Sequence, residues 1–450
     1  MSRKVVIIGG GPVAWEAARA ATTHGARVTI VSDSPLGGRA GWHSLLPSKV
    51  WLHAAEVYRT AQEARHTGVI SEETRVNASQ LVAHLREVAQ AWNTARAEAL
   101  RALGVQEVTG VGTFLSPHEL VVRTSEGDEV TRLTADAFVI ATGSVPIFPP
   151  EMRPDGQRII APRFASHLEA LPRSIIVVGA GPTGSEFTHL FNALGADVTW
   201  VVDEFGILPM FAPPAGDALR QALTSRGVRV VEGQRAVRAQ PAGDGVVVTL
   251  ADGTTLQAEM AFIAIGRRPD TARLGLEAAG VTLRSDGAPE VDAYGRTSVP
   301  HIFAAGDVTG KPMIANRGMA QAYVAGLTAA GAKAPPFREE TVVFAVYTEP
   351  EVAQVGVVEG EGVASARVPF AVSLKAHVLG HGEGFLELAH RPQDGTIVGG
   401  VAVGPHAADV LTPVAQAIAL EATVAQMAAL FPAHPTLSEV AFVAARERAG

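Results

Sequence analysis

The 450-residue chain has no cysteine. It can form no disulfide, no thiolate metal site and no thiol nucleophile, which removes every reaction that cycles a protein dithiol. No metal site of another kind is expected. Basic charge is also short: 37 Lys and Arg stand against 45 Asp and Glu, a formal net charge of −8. Nothing here implies a nucleic-acid partner or docking to an anionic membrane. No uninterrupted apolar run reaches the ~20 residues that cross a bilayer, so membrane insertion is not expected. The first apolar stretch, Val5-Val6-Ile7-Ile8, is too short for the core of a signal peptide. A cytoplasmic protein is the expectation.

What is present is enough hydrophobic residue, 47%, to bury several cores. The first apolar run ends in Gly9-Gly10-Gly11-Pro12-Val13-Ala14. A helix follows to about Thr23, and Arg27-Val28-Thr29-Ile30-Val31 reads as the next strand. This is a βαβ unit with glycines at the strand-to-helix turn. The pattern recurs at Ser174-Ile175-Ile176-Val177-Val178, followed by Gly179-Ala180-Gly181-Pro182-Thr183-Gly184 and the strand Val198-Thr199-Trp200-Val201-Val202. Such an internal repeat predicts two nucleotide-binding modules. Helices are predicted over 48–66 and 72–103. In the second, Leu81, Val82, Leu85, Val88, Ala89 and Trp92 recur at helical spacing and predict a buried face. Pro146, Pro149, Pro150 and Pro154 mark a boundary, and Pro335-Pro336 a linker. Beyond it, strands at 342–346, 385–389 and 397–402 and helices near 407–420 and 423–430 read as a separate α+β domain.

Gly9-x-Gly11-x-x-Ala14 has the dinucleotide fingerprint. The first glycine permits the tight turn, and the second lets a pyrophosphate reach the backbone. The small third residue lets the helix pack close to the strand, with its N-terminus toward the phosphates. Gly179-x-Gly181-x-x-Gly184 repeats it. An acidic residue about 20 positions on would hold the adenosine ribose. Ser32 and Val202 occupy the expected places, with Asp33 and Asp203 one position later. Each Asp reads either as a ribose ligand turned inward or as a solvated turn residue. Asp203-Glu204 sets two carboxylates and no neighbouring arginine where a 2′-phosphate would lie, which favours NADH over NADPH.

Six segments in order carry a resemblance over nearly the whole chain. They are Gly37-Gly38-Arg39-Ala40-Gly41-Trp42-His43-Ser44-Leu45-Leu46-Pro47-Ser48-Lys49, Ala141-Thr142-Gly143, and Ile265-Gly266-Arg267-Arg268-Pro269. Gly306-Asp307-Val308, Thr348-Glu349-Pro350-Glu351-Val352-Ala353-Gln354-Val355-Gly356 and His434-Pro435-Thr436-Leu437-Ser438-Glu439 complete the set. Together they resemble the FAD-dependent pyridine nucleotide-disulfide oxidoreductases, the family of dihydrolipoamide dehydrogenase, glutathione reductase and soluble transhydrogenase. The resemblance implies an α/β fold of two tandem Rossmann-like, three-layer nucleotide-binding domains plus a C-terminal α+β dimerisation domain. It divides the chain into an FAD-binding domain at 1–150, an NAD(P)-binding domain at 151–275, a return to the FAD domain at 276–335 and a dimerisation domain at 336–450.

By the same resemblance FAD falls to Gly9, Gly11, Ala14, Asp33, Gly38, Arg39 and Lys49, to Gly112 and Thr113, to Ala141, Thr142 and Gly143, and to Asp307 and Ala315. The electron donor, NADH or NADPH, falls to Gly179, Gly181, Gly184, Asp203 and Gly266. Lys49 would sit by the flavin N5 and pair with Glu186, a fixed cation suited to the anionic reduced flavin. His434, oriented by Glu439, would act as an acid–base across the subunit interface of a homodimer.

The resemblance breaks inside its first segment. The two redox cysteines of the family fall at Ala40 and Leu45. Between them, Trp42 reads as stacking on the flavin or a quinone, or as simple packing. His43 reads as a proton donor or as an ordinary histidine. Pro182 stands where the family gates its nicotinamide pocket, so that pocket is open or serves something else. The expected function is an FAD-dependent NAD(P)H oxidoreductase that passes electrons from flavin directly to a non-disulfide acceptor such as a quinone. Two alternatives are a soluble pyridine nucleotide transhydrogenase and a non-catalytic flavoprotein, a redox sensor or complex subunit.

Overall fold

The computed structural model describes residues 2–168 and 170–449. The β-branched run Lys4–Ile8 forms the centre of a five-stranded parallel sheet. It pairs with Arg27–Ser32 on one side and Ala137–Ile140 on the other, with Val6 opposite Thr29 and Phe138. Gln106–Thr109 and Ile302–Ala304 close the two edges. Alternate side chains serve opposite faces, as the period of a strand requires. Val5 and Ile7 pack beneath helix α1 (Pro12–Thr23) and the helix Ala315–Ala329. Val6 and Ile8 pack against an antiparallel three-stranded layer that includes Phe114, Leu120 and Val122. The helix layer is close because it is built of small residues. A side chain on Gly326 would meet the Ala17 carbonyl oxygen at 2.5 Å.

After α1 the chain makes two helices that bear on the site, the short α2 (Gly38–Trp42) and α3 (Leu45–His66). Pro47 falls in the first turn of α3, where no helical partner awaits its missing N–H. Helix α4 (Ala78–Ala102) follows. It starts at residue 78 and not at 72, because the Asn77 side chain accepts from the Gln80 N–H (3.1 Å) and caps the helix there. Its buried stripe is Val82, Leu85, Ala89, Asn93, Ala97 and Leu100, so Trp92 faces out, 49% exposed, and Asn93 takes its place inside.

The second module repeats the first. Ser174–Val178 is central, flanked by Asp197–Val201 and Met260–Ile263, with Arg229–Val231 and Ile159–Ile160 outside them. Helix α5 (Pro182–Ala193) follows its glycine turn. The C-terminal unit is a five-stranded antiparallel sheet in the order Phe344–Val346, Glu351–Gly356, Ile397–Gly404, Phe385–His390, Ala364–Pro369. The helix predicted over 407–420 is two, Ala407–Val410 and Thr412–Ala419, joined through Leu411.

One core links the units. Trp51, Leu52 and Ala55 of α3 share a cluster with Phe187, Phe191, Trp200 and Phe262 of the second module, and with Val346, Val352 and Val401 of the C-terminal sheet. Trp51 is fully buried, and a side chain of that size stabilises by roughly 3 kcal/mol or more. This packing fixes α3 against α5. No helix among the described residues is long and apolar enough to cross a membrane.

Candidate active site

A cavity of 850 Å³ lies at the carboxyl ends of the first sheet's strands, bounded by the Gly9 turn, α2, the start of α3 and Asp307. Gly9 has φ +120°, and a side chain there would sit 2.3 Å from the Ala141 carbonyl oxygen. Gly38 approaches Gly11 equally closely, with its would-be Cβ 2.9 Å from the Gly11 Cα. Gly11 itself is different. A Cβ on it would meet no protein atom within 4 Å, and Gly11 lines the cavity. The turn thus leaves open the space that a pyrophosphate needs, under an α1 N-terminus that no side chain caps. The residues fit a bound FAD.

Further along the wall, Asp33 faces the cavity and pairs with Arg273 at 2.7 Å. Arg39 pairs with Asp270 and donates to the Thr142 carbonyl (2.9 Å). Asp307 accepts from the Ser144 hydroxyl at 2.5 Å, and Arg267 donates to that same Ser144 oxygen at 2.7 Å. Gly112, Ala141, Thr142, Gly143 and Ala315 line the cavity with them. Ala14 and Thr113 stand behind the lining. Ala14 is fully buried between helix and strand, and the Thr113 hydroxyl donates to the Arg273 carbonyl (2.8 Å). Ser144, Asp270 and Arg273 were not picked out in the sequence, since they match no local motif and arrive from other segments.

At one end of this cavity Lys49 meets Glu186. The Lys49 Nζ donates to both carboxylate oxygens, at 2.7 and 2.8 Å. Helix α3 supplies the cation and α5 the anion, and the shared core holds the two helices together. The Tyr347 N–H donates a third bond to Glu186 (3.1 Å), and its ring centroid lies 4.5 Å from the Lys49 Nζ. Beyond the pair a second cavity of 1120 Å³ opens. The two share Pro12, Ala40, Leu45, Lys49, Thr183, Glu186, Met313 and Ala315. Pro182, the first residue of α5, lines the second.

The places of the missing cysteines are therefore apolar wall, Ala40 and Leu45, common to both cavities. Trp42 lines the first, and its indole N–H is spent on the Leu36 carbonyl (2.9 Å). His43 lines the same cavity. Burial, then the neighbouring His167 and Arg163, lower its imidazole below the ordinary range. His434 and Glu439 do form a pair, Nδ1 to Oε1 at 2.8 Å, with the other Glu439 oxygen accepting from the Thr436 N–H (2.8 Å). Burial pushes the Glu439 carboxyl up, but the Thr436 N–H and His434 outweigh it and hold it below its usual value. The His434 side chain is 63% exposed and lines neither cavity of this chain.

The second glycine turn is built like the first. A side chain on Gly179 would lie 2.3 Å from the Ala264 carbonyl oxygen, and one on Gly184 would lie 2.0 Å from that of Gly179, whereas Gly181 faces open space. Gly266 has φ +125°. Asp203 serves its own turn, accepting from the Phe205 N–H (3.1 Å). The adjoining Glu204 pairs with Arg235, contributed from beyond the next strand. The expectation that only carboxylates stand at this edge is thus corrected: a cation is present, brought by the fold from outside the local sequence. On the far wall of the second cavity Glu63, Glu349 and His381 place ligand-type atoms within 4.8 Å of one another. Arg59 already pairs with both carboxylates, and Arg226 lies 3.7 Å from Glu349.

Residues 3–325 match the pyridine nucleotide-disulphide oxidoreductase family, and residues 342–445 match the dimerisation domain of the same family. A protein of Mycobacterium tuberculosis (strain H37Rv) named NAD(P)H dehydrogenase (quinone) is 33% identical, over 99% of this chain and 94% of its own length. The dihydrolipoyl dehydrogenase of Geobacillus stearothermophilus is 32% identical, over 99% and 96%. The crystal structure of LpdA from M. tuberculosis superposes with a TM-score of 0.93 at 32% identity, covering 99% of both chains. An HOCl-induced flavoprotein disulfide reductase from Escherichia coli shares the fold, with a TM-score of 0.86 at 21% identity over the full length of both chains. The chain belongs to the pyridine nucleotide-disulphide oxidoreductases, an FAD- and NAD(P)H-dependent family, as a member that lacks the cysteines of dithiol catalysis.

Proposed function

We propose that the protein is an NAD(P)H:quinone oxidoreductase. The observation that carries this is one juxtaposition. The Lys49–Glu186 pair stands intact at the junction of two cavities, and the positions of the relay thiols are the apolar Ala40 and Leu45. FAD, when bound, accepts a hydride and releases electrons singly or in pairs, so no thiol relay is required. Gly9, Gly11, Gly38, Arg39, Thr142 and Asp307 hold it in the first cavity, and the Gly179 turn with Gly266 and Asp203 takes the nicotinamide nucleotide. Lys49, oriented by Glu186, presents a cation where the reduced cofactor is negative. Apolar walls admit a flat, uncharged acceptor. The name of the M. tuberculosis relative agrees with that substrate class. The chain acts as a cytoplasmic homodimer in this proposal, with its domains at 1–150, 151–275, 276–335 and 336–450.

Formation of a quinol takes up one proton beyond the hydride. One source is the His434–Glu439 pair, which serves a flavin only across the homodimer. The other lies within this chain and is argued below.

The test is anaerobic mixing with NADH and with NADPH, followed by a panel of acceptors. Bleaching of the flavin and its reoxidation by quinones, with no lipoamide or glutathione turnover, is the expected result. A flavin that neither nucleotide bleaches ends this proposal. The Arg235–Glu204 pair favours one rival, transhydrogenation, because it offers a cation to a 2′-phosphate. Turnover of NADPH with thio-NAD faster than with any quinone would select that rival.

A further inference from the structure

Glu351 is a cavity-lining carboxyl outside the Lys49–Glu186 and His434–Glu439 pairs. It opens the strand Glu351–Gly356, and its half-buried side chain lines the second cavity. Three carboxylates on this wall have a lysine or arginine partner: Glu186 has Lys49, and Glu63 and Glu349 have Arg59. No arginine or lysine pairs with Glu351 among the described residues. It accepts one long hydrogen bond, 3.4 Å, from the Ala408 N–H. Burial pushes its carboxyl up to about 7, the Ala408 N–H and His406 oppose the rise, and Asp409 and Glu56 add to it. A group so placed exchanges a proton near neutrality.

Its neighbours form a path in both directions. Inward lies Tyr347, whose phenol is raised first by burial and then by Glu351 and Glu186, so the ring stands within electrostatic reach of both carboxylates. The Tyr347 ring lies against the Lys49 ammonium, and its backbone N–H donates to Glu186. Outward lies His406, which lines the same cavity with its side chain 53% exposed and 3.8 Å from Asp409. Its backbone is held at φ +51°, in the left-handed region that few non-glycine residues occupy. The charged and titratable groups facing Glu351 are thus Glu56 from α3, Tyr347, and His406 with Asp409.

We propose that Glu351 donates the proton that completes reduction of the acceptor, and that His406 refills it from solvent. The acceptor then sits on the side of Pro182, Glu186 and Tyr347, in the open nicotinamide-side pocket. This rests on the quinone reductase assignment above. NADH loses a hydride and becomes NAD⁺, and one quinone oxygen gains the equivalent two electrons and proton. At the other oxygen a new O–H bond forms as the Glu351 carboxyl O–H breaks, its electron pair staying on the carboxylate. A solvent proton passing by way of His406 restores the acid.

The test compares Glu351→Gln with wild type. Reduction of the flavin by NADH should proceed at the wild-type rate, since that half-reaction needs no solvent proton. Quinone turnover should fall at least about a hundredfold, the scale of a lost general acid, and lose its pH limb near 7. Turnover with ferricyanide, which takes electrons without protons, should be unchanged. Infrared titration of the oxidised protein gives a readout independent of turnover: a carboxylic-acid band should vanish through neutral pH in wild type and be absent in the variant. Glu351→Asp should keep the band and most of the quinone turnover, which separates chemistry from a folding defect. Equal losses with quinone and ferricyanide, an unaltered band, or loss of the pH limb in His434→Gln and not in Glu351→Gln would overturn the proposal alone. Absence of quinone turnover in wild type would remove the functional assignment, and this inference with it.

Discussion

At the scale of single residues, Lys49 and Glu186 show how a costly arrangement points to function. The Glu186 side chain is 9% exposed and that of Lys49 31%, and taking both charges out of water offsets most of their attraction. An apolar pair would hold α3 to α5 equally well. A salt bridge kept at the mouth of two cavities is better explained by what its cation does there. His189, one turn further along α5, shows the reverse case. It is buried, and its Nδ1 has no hydrogen-bond partner among the described residues. Burial, then Arg226 and Arg59, lower its imidazole to about 3, so the folded protein holds it neutral. The sign of the consequence follows. At pH above about 6.5 neither state binds the proton, and nothing is lost. Below that, the unfolded chain takes up a proton that the folded one refuses, and stability falls as pH falls. His189→Gln removes this term. Its deficit against wild type in urea unfolding should shrink by about 2 kcal/mol between pH 7.5 and 5.

At the scale of elements, the two strand–turn–helix units show what was legible in the sequence. β-branched runs, glycine spacing and small helical residues fix the local geometry, and all of these are local signals. Asp33 was ambiguous for a physical reason: its partner, Arg273, lies 240 residues along the chain, where spacing does not connect the two, whereas Asp203 accepts from the Phe205 N–H of its own turn. Trp92 was misplaced because its apolar character and Asn93's polarity pull against the helical phase. The phase wins, since Asn93 packs against Gly37 and Gly41 and donates to the Gly41 carbonyl (3.2 Å). The glycine turns also separate two kinds of constraint. Gly11 has φ −81°, and a methyl group there meets no atom of the described residues within 4 Å. Gly11→Ala should therefore fold with an unaltered circular dichroism spectrum yet purify without flavin, because the methyl group occupies the cofactor's space. Gly184→Ala should instead lower the melting temperature, since its Cβ would lie 2.0 Å from a backbone oxygen.

At the scale of the whole molecule, six short segments spread over the chain announced the architecture, but not that its units would share one core. The prolines at 335–336 suggested a linker to a separate C-terminal domain, and the match over 342–445 bears the domain out, but its core is shared with the rest of the chain. Val346, Val352, Val401 and Val403 lie in the same buried cluster as Trp51 and Phe187. The Ala212 N–H donates to the Gln354 side chain (2.7 Å), and Arg226 bonds the Glu349 carbonyl. Glu186 receives one of its three hydrogen bonds from Tyr347. A fragment ending at residue 335 would lack these four valines and leave the face they cover, around Trp51 and Phe187, open to water; each buried valine is worth roughly 1.5–3 kcal/mol. That total is comparable to the whole stability of a domain, about 5–15 kcal/mol. The fragment should therefore retain no FAD and show no cooperative thermal unfolding, although both glycine turns and Lys49 are intact in it. Calorimetry and flavin absorbance check this. A cooperatively melting, yellow fragment would mean that the C-terminal unit is an independent appendage, and that the Lys49–Glu186 geometry does not depend on it.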